Sequence, residues 1–296
     1  MFRYLTEWDA PMPIAVKPLS PAIGAAVTGV DLSQPLDDAV FAAIMAAWLR
    51  HSVLVFPGQD IADEDQVRFS ARFGRLGRRK RKVARPEAGD VHPAVMLISN
   101  IRRDGVPIGS LPDGEMMFHS DGAYTDVPYI ATFLYAIEIP SVGGDTLFAS
   151  LYAAAEALPP DLRARIEGRR AVHTYYAGTT DKANPAASLS GEAAKPILRV
   201  HEQSGREALF VSRLMTDRIE GMDADESAEV LEALFAIAER EEHIYRHRWT
   251  PGDLVVWDNR ACNHARTDFP GGERRLLRRT TVESLEGADP LQGVVA

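Results

Sequence analysis

The sequence predicts a mainly β fold, built on a curled or barrel-like sheet with helices around it. Short apolar runs closed by Pro, Gly or Asp recur along the chain, and longer helical patterns lie on both sides of them. No GxxxxGK[ST] or GxGxxG motif follows a strand, so phosphate-loop and dinucleotide folds have no support.

The elements follow in order. After the turn residues of PLSPAIG, Val27 to Val30 reads as a strand, and Asp31 and Ser33 favour a turn. DDAVFAAIMAAWL, Asp37 to Leu49, is helical, with an early acidic turn and no Gly or Pro. SVLVF, Ser52 to Phe56, is a buried strand that Pro57 and Gly58 end. Asp63 is expected to cap a helix over Glu64 to Phe73, whose Val67, Phe69 and Phe73 recur near helical spacing. Met96 to Ile101 is a strand, followed by a loop through Gly105, Gly109 and Gly114. Thr132 to Ile139 is a strand ended by Pro140. Ser150 opens the short helix LYAAAEAL, and Pro159–Pro160 opens another. Tyr176 to Gly191 is polar and irregular, and reads as a loop able to close over a site. Leu209 to Ser212 is strand-like, and Ser227 to Arg240 is the clearest amphipathic helix. HRW at His247 to Trp249, then Leu254 to Trp257 after a PGD turn, are strands, and Arg279 to Glu283 is the last.

Composition bounds the function. The 296 residues are 46% hydrophobic, enough for a sizeable core, and neither a repeat nor a linker divides them, so residues 1–296 are expected to form one domain. A formal charge of -9 disfavours a general nucleic-acid binder. The dense basic run RRKRK, Arg78 to Lys82, reads as a solvated charge run without the interleaved aromatics of a nucleic-acid surface. No apolar run approaches a membrane span or a signal peptide. The single cysteine, Cys262, excludes an internal disulfide and reads as a small buried group. A cytoplasmic protein is expected.

The segment MFHSDGAY places His119 and Asp121 two residues apart. On extended backbone both side chains would share a face and could share a metal. His264, in WDNRACNHA, is the best third ligand. Two histidines and one carboxylate form a facial triad that leaves positions open, as redox iron needs for a bidentate co-substrate and O2. Zinc accepts the same three groups and would support hydrolysis, so the triad alone fits both metals. Trp257 reads as a core anchor, and Asp258 and Asn259 as stabilisers of the turn before His264.

Taken together, GVDL (29–32), FPGQ (56–59), FSARFGRLG (69–77), FHSD (118–121), GGDTLFAS (143–150), HEQSGREALFVS (201–212), WDNRACNHAR (257–266) and RRLLRRTTV (274–282) resemble the TauD/TfdA family of taurine and aryloxyalkanoate dioxygenases. The resemblance spans most of the chain. It implies a double-stranded β-helix (jelly-roll) core with helices outside, Fe(II) as cofactor, and 2-oxoglutarate and O2 as co-substrates. It implies His119, Asp121 and His264 as iron ligands. Thr146 and Arg275 match the residues that hold the distal carboxylate of 2-oxoglutarate, where a guanidinium fork and a hydroxyl suit an anion. Arg279 matches an arginine facing the acidic group of the primary substrate; four residues from Arg275, it would share a strand face with it.

Glu115 departs from the pattern, since members that bind taurine carry an asparagine four residues before the first histidine. The family's substrate-binding histidine after the FGxLG stretch also lacks an equivalent near RRKRK. Taurine is therefore not expected; Glu115 could instead meet a substrate ammonium or hydroxyl, and Tyr124 and Phe118 are candidate pocket walls. The expected reaction is hydroxylation of a small, acidic organic substrate, with succinate and CO2 as co-products. C–S or C–O cleavage follows where the hydroxylated carbon carries such a bond. An amino acid or a biosynthetic intermediate, with hydroxylation or desaturation, is the alternative within the class, and a non-catalytic jelly-roll binding a small acid is the alternative outside it. Family members commonly associate, so a homo-oligomer, dimer or tetramer, is expected.

Overall fold

The computed structural model describes residues 14–78, 84–85, 89–90, 92–109, 115–177 and 188–288. Period-two alternation decides how the strands are used. Leu254 and Val256 of the strand Leu254–Asp258 join one apolar cluster with Phe133 and Tyr135 of Ala131–Glu138 and with Leu54 and Phe56 of Val53–Phe56. The intervening Val255, Trp257, Leu134, Ala136, Val53 and Val55 join a second cluster on the other face. A sheet buried on both faces needs apolar residues at every position, and VLVF and LVVW supply them.

That sheet has eight strands. Its path runs Ala15–Pro18, Ala25–Thr28, Val53–Phe56, Leu254–Asp258, Ala131–Glu138, Leu276–Ser284 and Arg75–Leu76, with Met96–Ser99 also paired to Leu276–Ser284. The pairing of Ala25–Thr28 with Val53–Phe56 is parallel and the others are antiparallel. One face is covered by the helices Asp38–His51 and Asp63–Ala71. Phe41, Trp48, Phe69, Phe73 and Phe133 interlock edge to face there, with centroids 5.0–5.8 Å apart.

The other face meets a four-stranded antiparallel sheet in the order Met116–His119, Cys262–Arg266, Thr146–Ser150, Ile244–His247. Phe148 and Cys262 of this small sheet pack with Trp257, Val255 and Leu277 of the large one. Two facing sheets with helices outside make the jelly-roll core that the family resemblance implies. A further three-stranded sheet, Ser188–Pro196, Arg170–Ala177 and Thr216–Ile219, packs with the helix Ala224–Ala238.

Several boundaries match: Asp37 caps Asp38–His51 through Val40 N (2.8 Å), and Ser150 caps Leu151–Glu156 through Ala153 N (3.2 Å). Others move. Asp63 is not a cap but the first residue of its helix; Ala62 precedes it, and Asp63 instead pairs with Arg278 at 2.6 Å. The expected strands at 27–30, 209–212 and 247–249 lie earlier, at Ala25–Thr28, Glu207–Leu209 and Ile244–His247. Of the polar stretch 176–191, residues 176–177 and 188–191 belong to paired strands, and 178–187 lie outside the described residues. Of the basic run, Arg78 is exposed and 79–82 lie outside the described residues. No helix among the described residues is long and apolar enough to cross a membrane.

Candidate metal centre and co-substrate pocket

The small sheet brings the first two ligands together. His119 ends its strand and stands opposite His264 on the neighbouring strand, with ring centroids 4.1 Å apart. Asp121 is not on extended backbone, as the spacing suggested: the strand stops at His119 and Asp121 opens a turn. The turn still delivers the carboxylate, since His119 Nε2 lies 3.9 Å from Asp121 Oδ1 and His264 Nε2 lies 3.9 Å from Asp121 Oδ2. All three donor atoms fall within 4.8 Å of one another, the one such group among the described residues.

The protonation states suit a cation. His119 Nδ1 donates to Met117 O at 2.9 Å, which leaves the Nε2 lone pair facing the carboxylate. Burial pushes both imidazoles toward the neutral form, His264 well below its ordinary value. Burial alone would raise the Asp121 carboxyl, but the Arg279 guanidinium 2.8 Å from Oδ2 and the Thr132 hydroxyl hold it well below the usual range. Two neutral imidazoles and one carboxylate therefore fit a divalent metal.

A second polar group lies on the inner faces of both sheets. Thr146 stands opposite Arg266 on the strand that carries His264. Arg275, Leu277 and Arg279 share the inward parity of the last strand, with Arg275 directly before its first residue. Arg275 is only 2% exposed, yet its Nε and Nη1 have no hydrogen-bond partner among the described residues, and Nη2 makes one long contact to Gly144 O (3.4 Å). Burial and the neighbouring Arg266 cation pull this guanidinium down to about 9. A buried cation so poorly satisfied is costly, and an anion beside it would offset that cost. Gly144, with φ 68°, forms the wall; a Cβ there would sit 3.3 Å from Arg275 Nε. Trp249 Nε1 donates to Thr146 Oγ1 at 3.0 Å, which leaves the hydroxyl hydrogen free to donate.

Of the other predicted residues, Tyr124 is half-buried and stacks on Tyr175 with centroids 4.7 Å apart, and burial pushes its phenol well above the ordinary value. Phe118 is half-buried beside His119, and its carbonyl accepts from Leu214 N. Glu115 is exposed and makes no hydrogen bond or ion pair among the described residues. The sequence reading missed Thr132, Trp249 and Arg266. A hydroxyl in the apolar run ATFLYAI was the one signal for Thr132.

Residues 15–281 match the family described as taurine catabolism dioxygenase TauD, TfdA family. The chain belongs to the TauD/TfdA dioxygenase family. It is 36% identical over 289 residues to pentalenolactone F synthase of Streptomyces avermitilis, covering 91% of this chain and 94% of that one. It is 33% identical to the (S)-phenoxypropionate/alpha-ketoglutarate-dioxygenase of Sphingobium herbicidovorans, covering 88% and 92%. A crystal structure of a taurine dioxygenase from Burkholderia xenovorans superposes with a TM-score of 0.75 at 35% identity, covering 92% of this chain and 91% of that one. This TauD/TfdA chain is thus a non-haem Fe(II)/2-oxoglutarate-dependent dioxygenase that hydroxylates a small substrate, with His119, Asp121 and His264 as the facial triad.

Proposed function

We propose that this dioxygenase acts on a small organic anion, that Arg279 receives the anionic group, and that Arg275 and Thr146 hold the distal carboxylate of 2-oxoglutarate. The observation that carries the reading is the buried, under-satisfied Arg275 guanidinium on the strand face it shares with Arg279. When bound, iron supplies the redox chemistry that couples O2 and 2-oxoglutarate to hydroxylation of a C–H bond, with release of succinate and CO2. The protein's part is placement. Arg275 offers a planar fork to one carboxylate, and the Thr146 hydroxyl, freed by Trp249, donates a further hydrogen bond. Phe269 lies under the Arg275 and Arg266 guanidiniums, 6.0 and 5.6 Å from its centroid. Arg279 rests on Asp121 and can turn to a substrate anion beside the triad. Tyr124 forms an adjoining wall with Tyr175. Phe118, next to His119 in sequence, is a further proposed pocket wall, and the exposed Glu115 is proposed to meet a substrate ammonium or hydroxyl.

The phenoxypropionate relative, and a sulfate ester dioxygenase of Pseudomonas putida at 33% identity, have acids or acid esters in their names, which supports the anionic class. Where the hydroxylated carbon bears an ether or sulfonate, the product would then fragment. The second reading, a biosynthetic intermediate, rests on the 36% identity to pentalenolactone F synthase. We also infer a single domain, because Ile14 and Val282, near the two ends of the described residues, share an apolar cluster, and a cytoplasmic site of action, in keeping with one free, buried cysteine.

The test is iron-loaded protein supplied with O2, 2-oxoglutarate and a panel of sulfonates, aryloxyalkanoates, sulfate esters, amino acids and neutral analogues, with succinate and product quantified together. Product matching succinate for an acid, and none for its neutral analogue, supports the proposal. Equal turnover of acid and neutral analogue refutes the role of Arg279.

A further inference from the structure

Asp121 leaves the strand before its carboxylate reaches the triad, so the β-sheet alone does not orient it. Its surroundings do. Oδ2 accepts from Thr132 Oγ1 at 2.8 Å and from Arg279 Nη2 at 2.8 Å, while Oδ1 accepts no hydrogen bond among the described residues. Behind Thr132 stands Asn259, and both are 0% exposed. Asn259 Oδ1 faces Trp257 Nε1 (3.0 Å) and the backbone N of Asp121 (3.3 Å), and Asn259 Nδ2 faces Thr132 Oγ1 (3.0 Å).

The hydrogen positions follow from the partners. An indole N–H and a backbone N–H can only donate, so the Asn259 atom between them is the carbonyl oxygen. The amide nitrogen must then face Thr132 and donate to it. The Thr132 hydroxyl has one hydrogen, and with its oxygen accepting from Asn259 that hydrogen is left for Asp121 Oδ2. Every bond in the chain Trp257, Asn259, Thr132, Asp121 therefore has one direction. It closes on the residue it serves, because Asn259 also accepts from the Asp121 backbone.

We propose that Thr132 and Asn259 are positioning residues of the metal centre: they occupy Oδ2, fix the rotation of the Asp121 carboxylate, and leave Oδ1 as the oxygen open to the metal. The inference rests on the triad as the metal site and adds the device that sets its affinity. Hydrogen bonds to a ligating carboxylate are worth roughly 10–100-fold in metal affinity. Arg279 shares Oδ2 but is a substrate-side group, whereas Thr132 is buried in the sheet between Trp257 and Thr281 and does not depend on substrate.

Co(II) titrated into the metal-free protein tests the proposal, read by calorimetry and by the visible ligand-field bands of the bound ion, with thermal melts of the metal-free forms alongside. Thr132→Val keeps the volume and removes the donor; it should weaken Co(II) about 10–100-fold and alter the bands. Thr132→Ser restores the hydroxyl and should bind within about threefold of the parent protein, on the same scale. Parent-like affinity and bands in Thr132→Val overturn the proposal, as does equal weakening in the Ser and Val variants. If Thr132→Val does not fold, Thr132→Ala is read in the same way. Failure of both beside a folded Thr132→Ser assigns the hydroxyl to the fold and also overturns the proposal. His119→Ala separates the underlying reading: undiminished Co(II) binding there removes the triad rather than the positioning chain.

Discussion

Replacing Arg275 by methionine should move ligand affinity and ligand-free stability in opposite directions. In the ligand-free protein the guanidinium is buried with Nε and Nη1 unpaired among the described residues, beside the Arg266 cation. An apolar side chain of similar length removes that burden, and such replacements are neutral or stabilising by about 1–4 kcal/mol. The melting temperature without 2-oxoglutarate should thus hold or rise by a few degrees. Binding should suffer the reverse. Two charge-assisted hydrogen bonds at about 1.5–2 kcal/mol each make about 3–4 kcal/mol, or roughly 10²–10³-fold in affinity. Anaerobic calorimetry with metal-loaded protein measures the second quantity and a thermal scan the first. Lysine at the same position keeps the charge without the fork and should fall between the two. Unchanged 2-oxoglutarate affinity in Arg275→Met would refute the reasoning, and so would a large loss of ligand-free stability, since that would make Arg275 a structural residue.

Arg279→Gln should raise the KM for an anionic substrate by about 10–100-fold, the cost of one charged contact, with the KM for 2-oxoglutarate within about threefold; equal rises in both would undo the division of labour between the two arginines. Burial pushes the Cys262 thiol well above its ordinary value, so native protein should resist alkylation at mildly alkaline pH and react once unfolded, and rapid native labelling would contradict this. Burial opposes ionisation of Asp258, but the Arg260 guanidinium and the His201 hydrogen bond hold its carboxyl well below the unfolded value of 3.8. A depressed folded value contributes stability that is present above 3.8 and is lost as the pH falls through the folded value. Asp258→Asn should therefore melt lower near neutrality and lose less on acidification, and parallel curves would count against the pairing.

The triad was legible because its residue types are restrictive and two of its members sit close in sequence. How Asp121 arrives was not legible: the HxD spacing implied one strand face, and the turn that replaces it is pinned by Asn259, 138 residues away. Asn259 read as a stabiliser of its own turn, a role that Asp258 fills by accepting from Arg260 N. Thr132 looked like any strand threonine, since its value lies in partners that no local pattern names. Arg275 and Arg279 fell on one face as alternation required. Asp63 was misread as a cap because local chemistry favours Asp there, while Arg278, 215 residues away, claims the side chain. Local rules thus located elements and motifs, and errors gathered where a distant polar partner outweighed them.

The most direct test of the central claim is O2 uptake and succinate formation by Fe(II)-loaded protein with 2-oxoglutarate and an accepted substrate, compared with His264→Ala. Equal amounts of O2 should be consumed and succinate formed, dependent on Fe(II) and abolished in the variant. No succinate from folded, iron-loaded protein, or undiminished succinate from His264→Ala, would contradict it.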